Sequence, residues 1–396
     1  MHDNTNALAD RPTVSFCTYT FNDASLAHGM LRSVSDWTVQ PDEIIVVDDG
    51  SDVPFTLQGK VENALPVRVM RLPENMGFTT AKSTGLNAAG GDVIFSADCD
   101  ARMDAGYLET CIRHLRDQSV GLVCGSCEQG NGQGLLDRYL LYFGENSPAS
   151  GINEVKFISG MAFALRRAVW EEVDGFTGHT RRFCSDHALS NRIAAKGYKL
   201  IVDGNVKATQ ERRLSRLANC RRTWAWCGTP LVDGTVAQYS LPEQFLALFT
   251  NPLLQRADII SQKGHPAMLY FDLLYISYVG LQMTEALGDR GRIPPDAGVK
   301  FQKMLAGKLG PYPQLFNQLR SDLLRLESWP ARNGRLPDSA DASRLARECD
   351  WSDAFYFADI FKDSGVLGWL NREGIRLVLE DEAGTDFSAY LKAELR

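Results

Sequence analysis

The sequence predicts an α/β fold, a mixed and mostly parallel sheet flanked by helices, followed by a mainly α-helical C-terminal domain. Three observations carry that expectation. Short apolar runs alternate with helical periodicity as far as Ala97. The apolar runs are continuous, which marks strands covered on both faces. Beyond about Leu231 the strand signals vanish and helical spacing takes over.

Val14 to Cys17 is a short β-rich run, and Leu26, Met30, Leu31 and Val34 follow on one helical face. Glu43-Ile44-Ile45-Val46-Val47 is a continuous apolar strand that stops at Asp48-Asp49-Gly50-Ser51. Val67 to Leu72 is a third strand, and Thr79 to Ala89 is a helix closed by Gly90-Gly91. Asp92 to Ala97 is a fourth strand, ending at Asp98-Cys99-Asp100. The order is β-α-β-β-α-β, which requires a mostly parallel sheet.

The second half punctuates helical runs with proline and glycine. Phe245, Leu246, Leu248 and Phe249, then Leu269 to Met283, then Leu315 to Leu326, and finally Phe355 to Leu379 have helical spacing. The segment from Asn333 to Arg347 reads as a loop or linker. The expected division is a flexible tail over 1–11, an α/β domain over 12–230 and a helical domain over 231–396, the last for acceptor recognition or oligomerisation.

Composition removes several classes of function. The 396 residues carry 42 Lys and Arg against 49 Asp and Glu, a net charge of −7. A nucleic-acid or anionic-membrane binder needs the opposite surplus. The polar N-terminus does not read as a leader, so a cytoplasmic location is expected. The apolar run from Met268 to Met283 holds Asp272 and falls short of the roughly 20 residues that span a bilayer. No transmembrane segment is expected, while peripheral membrane association and homo-oligomerisation stay open. The nine cysteines read as reduced and mostly buried; Cys124 and Cys127 form a CxxC without the second pair or spaced His of a zinc site.

In parallel sheets ligands sit outside the carboxyl ends of the strands, where both acidic clusters fall. Neither a dinucleotide fingerprint nor a P-loop is present. Carboxylates repel phosphate directly but can hold it through Mg²⁺ or Mn²⁺, which take hard oxygen ligands from one or two carboxylates and from the phosphates. The clusters therefore suit a metal-bridged nucleotide diphosphate, each cluster offset by the cation.

At these residues the chain resembles the family 2 glycosyltransferases of the GT-A fold. Val14 to Asn22 resembles their VSVIIPTYN opening, and Glu43 to Ser51 resembles EIIVVDDGS. Asn75-Met76-Gly77 with Ala81 to Gly85 resembles the NxG and ARNxG segment, with Lys82 and Ser83 replacing Arg and Asn. Asp98-Cys99-Asp100 resembles the DxD motif, Ser159 to Arg167 the small-residue strand and basic turn, and Ser185-Asp186 the ED pair. The resemblance covers about residues 12–228.

The resemblance implies an inverting enzyme that moves a sugar from a nucleotide-diphosphate sugar, a UDP-sugar first, to a glycan, lipid-linked or protein hydroxyl. Asp186 would be the catalytic base. Thr20, Phe21, Asp48, Lys82 and Asp98 would bind the nucleotide sugar, and Asp100 would hold Mn²⁺ or Mg²⁺. Asp186 could also cap a helix beginning at His187. Where the family often supplies a metal-binding His, this chain has Gln210, or else Thr209, and an amide offers only a carbonyl oxygen. Arg212, Arg213, Arg216, Arg221 and Arg222 could bind diphosphate or form a solvated helix face. Ser185 and Gln210 favour the alternative of a non-catalytic nucleotide-sugar-binding or scaffold member. A nucleotidyltransferase would want a glycine-rich loop after the first strand, and Thr18 to Asp23 contains no glycine.

Overall fold

The computed structural model describes residues 8–129, 150–178, 185–212, 222, 328–329, 332–335 and 338–348. The expected helical runs at 245–249, 269–283, 315–326 and 355–379, together with Arg213, Arg216 and Arg221, lie outside the described residues. The chain divides into two compact units, 1–131 with 144–212 and 132–143 with 213–396. The first unit thus ends at Arg212.

The first unit is built on β1 (Val14–Thr20), β2 (Glu43–Asp48), β3 (Val67–Arg71), β4 (Val93–Ala97), β5 (Ala101–Met103), β6 (Val120–Gln129), β7 (Ile152–Val155), β8 (Ala162–Arg166) and β9 (Lys199–Gln210). They form one sheet in the order β3-β2-β1-β4-β8-β6-β9-β5, with β7 paired to β9. Strands β1 to β4 run parallel, β8 opposes both β4 and β6, and β6 and β9 are parallel. The sheet is mixed and mostly parallel, as expected.

Continuous apolar strands bury both faces. Ile44 and Val46 enter one core with Phe16, Phe95 and helix α1 (Ala24–Val34); Ile45 and Val47 enter the other with Cys17, Ile94 and helix α3 (Phe78–Ala88). Helix α4 (Tyr107–Leu115) covers the first face, while α5 (Arg167–Glu172) and α6 (Ser185–Ala195) cover the second. Each fully buried Ile, Leu, Val or Phe contributes about 1.5–3 kcal/mol.

Two expectations change here. A short helix, α2 (Gly59–Ala64), separates β2 from β3, so the order is β-α-β-α-β-α-β. Its sequence, GKVENA, has little apolar periodicity; buried Glu62 anchors it to α1 by accepting from Arg32 at 3.2 Å and pairing with His28 at 2.9 Å. The segment read as a linker instead contains helix α7 (Ser339–Glu348), whose first-turn amides of Ala340 and Asp341 donate to Asp338 Oδ1 at 2.9 Å. An acidic cap of that kind initiates a helix.

Strand direction decides what meets at one edge. The carboxyl ends of β1, β2 and β4 deliver Thr20, Asp48 and Asp98 there. Because β9 runs the same way, Gln210 arrives at that edge, paired with Ala101. Antiparallel β8 begins where the others end, so Gly160 and Met161 lead into it beside Asp98, whose amide donates to the Met161 carbonyl at 2.8 Å.

Candidate functional site

The loop after β2 is held by its own acids. Asp48 is fully buried and accepts from the amides of Ser51 at 2.9 Å and Phe55 at 3.0 Å, and from the Arg71 guanidinium. Burial pushes its carboxyl up, but the hydrogen bonds from Ser51, Phe55 and Arg71 outweigh that and leave it below the usual range. Asp49 accepts from the amides of Met76 at 2.8 Å and Gly77 at 3.0 Å. The first acidic cluster is therefore offset by the protein itself, which corrects the expectation of a cation there. Gly50 has φ +70°, and a Cβ on it would lie 2.3 Å from the Glu74 carbonyl carbon, so glycine is required.

The loop after β1 lies against this one. Asn22, at φ +54°, donates its amide to Ser51 Oγ at 2.9 Å and exchanges side-chain bonds with Asp52. Thr20 is buried and its Oγ1 has no hydrogen-bond partner among the described residues. Phe21 is 38% exposed, so its ring is not part of the core.

The second acidic cluster is arranged differently. Lys82 on α3 is buried, with Nζ 2.8 Å from Asp98 Oδ1 and donating to the Gly160 carbonyl at 2.6 Å. The ammonium also lies 5.5 Å from the centre of the Tyr19 ring. Burial pushes the Asp98 carboxyl up, against the opposing charge of Lys82. Burial, and then the charge of Asp98, push the Tyr19 hydroxyl up.

Asp186 is reached through Gly160. The Gly160 amide donates to Asp186 Oδ2 at 3.1 Å, and Oδ1 accepts from the His187 amide at 2.9 Å. Helix α6 begins at Ser185, not His187, so Asp186 occupies its first turn. Anions are favoured there by the helix dipole. His187 is exposed and stacks on Phe157, ring centres 3.8 Å apart.

Asp100 is buried, and among the described residues its side-chain hydrogen bonds fall on Oδ2, from Gln210 Nε2 at 3.1 Å and Arg212 Nε at 2.7 Å. Gln210 thus turns its amide nitrogen to the carboxylate, where its oxygen was expected to face a metal. Arg212 also reaches Asp23 Oδ2 at 2.5 Å. Burial lowers the guanidinium, but the hydrogen bonds it donates to Asp23 and Asp100 outweigh that and hold it above its ordinary range. No group of three or more His, Cys, Asp or Glu suited to a metal is assembled among the described residues. No described residue bonds Asp100 Oδ1, which leaves one hard oxygen open to a cation. A divalent ion there would complete its shell with substrate phosphates and water, and those phosphates would offset the repulsion of Arg212.

The structure joins Lys82, Asp98 and Asp186 around Gly160, and joins Asp100 with Gln210. It keeps Asp48 in its own loop. Tyr19, Asp23 and Gly160 were not singled out by sequence. Tyr19 sits inside the matched opening segment, whereas nothing local marks Asp23, which lies 189 residues from its partner Arg212.

The sheet order, with helices on both faces and acidic groups at one edge, is of the GT-A type. Residues 15–174 match the sequence model of Glycosyl transferase family 2. The chain carries a family 2 glycosyltransferase domain. It is 26% identical over 192 residues to the O-antigen chain rhamnosyltransferase of Salmonella typhimurium, covering 46% of this chain and 60% of that one. It is 28% identical over 181 residues to the pre-mycofactocin glycosyltransferase of Mycobacterium tuberculosis, covering 44% and 38%. The chain thus spans less than two thirds of these relatives. Among solved structures it is similar to a mannosyltransferase of Pyrobaculum calidifontis in complex with GDP-Man and Mn²⁺, at TM-score 0.42 and 20% identity over 77% of this chain and 82% of that one. No described helix is long and apolar enough to cross a membrane.

Proposed function

We propose that the chain is an inverting glycosyltransferase that moves a sugar from a nucleotide-diphosphate sugar, a UDP-sugar in the first instance, to a hydroxyl acceptor in glycan or glycoconjugate synthesis. The observation that carries this reading is the meeting of Lys82, Asp98 and Asp186 at Gly160. It brings a cation suited to phosphate or sugar oxygens within one residue of a carboxylate whose described partners are backbone amides. The names of the relatives support the reaction class.

In this reading Phe21 borders the base with its exposed ring, and Thr20 Oγ1 lies beneath it. Asp48 acts chiefly by holding the loop on which the base rests, through Ser51 and Phe55. Lys82 keeps Asp98 compensated and orients it toward the ribose. Asp186 takes the proton from the acceptor hydroxyl as its oxygen attacks the anomeric carbon; a general base of this kind is worth about 10²–10⁴-fold. Single displacement inverts configuration.

Asp100 would hold the divalent cation, Mn²⁺ or Mg²⁺, with Gln210 beside it. When bound, that cation offsets charge on the departing diphosphate. The buried free thiols Cys17, Cys99, Cys111, Cys124 and Cys127 are in keeping with a reducing, cytoplasmic setting.

Incubation with UDP-, GDP-, CDP- and dTDP-sugars, followed by chromatography of released nucleoside diphosphate, tests the reading. Release from one donor class, slow with water and faster with a glycan acceptor, is expected. No release from any donor would contradict it.

A further inference from the structure

We propose that Arg212 is a placeholder cation: its guanidinium occupies Asp100 until the donor's diphosphate arrives, and only then yields the carboxylate to a divalent ion. The inference rests on the metal reading of Asp100 given above.

The backbone around Arg212 is fixed while its side chain is not enclosed. The Glu211 amide donates to the Asp100 carbonyl at 2.7 Å, and Glu211 Oε2 pairs with Arg102 Nη2 at 2.7 Å. The Asp100 side chain is only 6% exposed, whereas Arg212 is 34% exposed and its second anchor, Asp23, 28%. Water therefore cannot screen Asp100, and a carboxylate of this kind is poorly tolerated without a positive partner. Arg212 supplies that partner, and it can leave by side-chain rotation alone.

The chemistry of the guanidinium fits an exchange of anions. Nε bonds Asp100 and Nη2 bonds Asp23, so one fork spans two carboxylates. The same donors match phosphate oxygens. A divalent ion arriving alone must share Asp100 with a like charge, and is repelled. Arriving with a diphosphate, it finds Arg212 offered a replacement anion. Metal and nucleotide would then bind cooperatively, because each removes an obstacle to the other.

Titration of Mn²⁺ alone, followed by electron paramagnetic resonance of the free ion, tests this on wild type, Arg212→Gln, Arg212→Met, Asp100→Asn and the Asp100→Asn/Arg212→Gln double variant. The expected result is at least tenfold tighter Mn²⁺ binding in both Arg212 variants. That gain should be absent in the double variant. If Asp100→Asn removes the site but neither Arg212 variant tightens it, the placeholder role is overturned and the metal reading stands. If the double variant binds Mn²⁺ as tightly as Arg212→Gln, the gained site is not at Asp100, and the metal reading falls and the placeholder with it.

Discussion

Lys82 and Asp186, carried on separate helices, take opposite polar groups of Gly160: Lys82 Nζ donates to its carbonyl at 2.6 Å, and its amide donates to Asp186 Oδ2 at 3.1 Å. The link places the ammonium that compensates Asp98 one residue from the proposed base. It also means that disturbing either side chain disturbs the strand lead-in between them.

The Lys82 substitution is the first consequence. Lys82→Met keeps the stem but leaves Asp98 without its cation. Breaking a fully buried pair costs about 3–5 kcal/mol. Because the Asp98 side chain is 25% exposed, water recovers part of this, and a loss of about 2–3 kcal/mol in urea unfolding is expected. A wild-type midpoint in the variant would show that the pair contributes nothing.

Asp186→Asn separates chemistry from structure in large part. The amide oxygen can still accept from Gly160, but the amide nitrogen cannot accept from His187, so donor affinity should hold while stability falls by about 1 kcal/mol. Turnover should fall at least ~10²-fold if Asp186 is the base. Equal kcat in the variant would remove it from the reaction.

The fold was legible because the strands are two-faced: Ile44 to Val47 alternate between two cores, and each face needs apolar residues. Helix α2 was not legible, because Glu62 and its ion pairs, rather than periodicity, hold it down. In the site, Asp98 and Asp186 could be read from local motifs. Their connection could not, since Gly160 offers only backbone groups and no side-chain signal. Asp48 looked open to a ligand in sequence because Arg71, 23 residues on, is invisible to any local pattern.

Asp48 should also give the unit an acid-sensitive component. Its folded carboxyl lies below the unfolded value of about 3.9, so its stabilisation is complete above that pH and is lost as pH falls through the folded value. Asp48→Asn is expected to cost about 2 kcal/mol near pH 7, with the gap to wild type closing below about pH 4. Urea midpoints across pH 7 to 3 measure it. A gap that stays constant over that range would contradict the assignment.

Gly50→Ala probes the loop without touching a charge. The left-handed conformation alone costs a non-glycine residue about 1–2 kcal/mol. Contact with the Glu74 backbone adds to it, because backbone cannot rotate away as a side chain could. A lower melting temperature and weaker nucleotide binding are expected together. An unchanged melting temperature would mean that the loop does not hold this geometry.

In the proposed function, the acidic edge of the sheet binds a nucleoside diphosphate through a divalent cation held at Asp100. Calorimetry with UDP, GDP, CDP and dTDP, each with Mn²⁺ and again with EDTA, measures it on wild type and Asp100→Asn. Binding of at least one nucleoside diphosphate with Mn²⁺ is expected, lost both in EDTA and in the variant. Binding of equal strength in EDTA, or in Asp100→Asn, would contradict it.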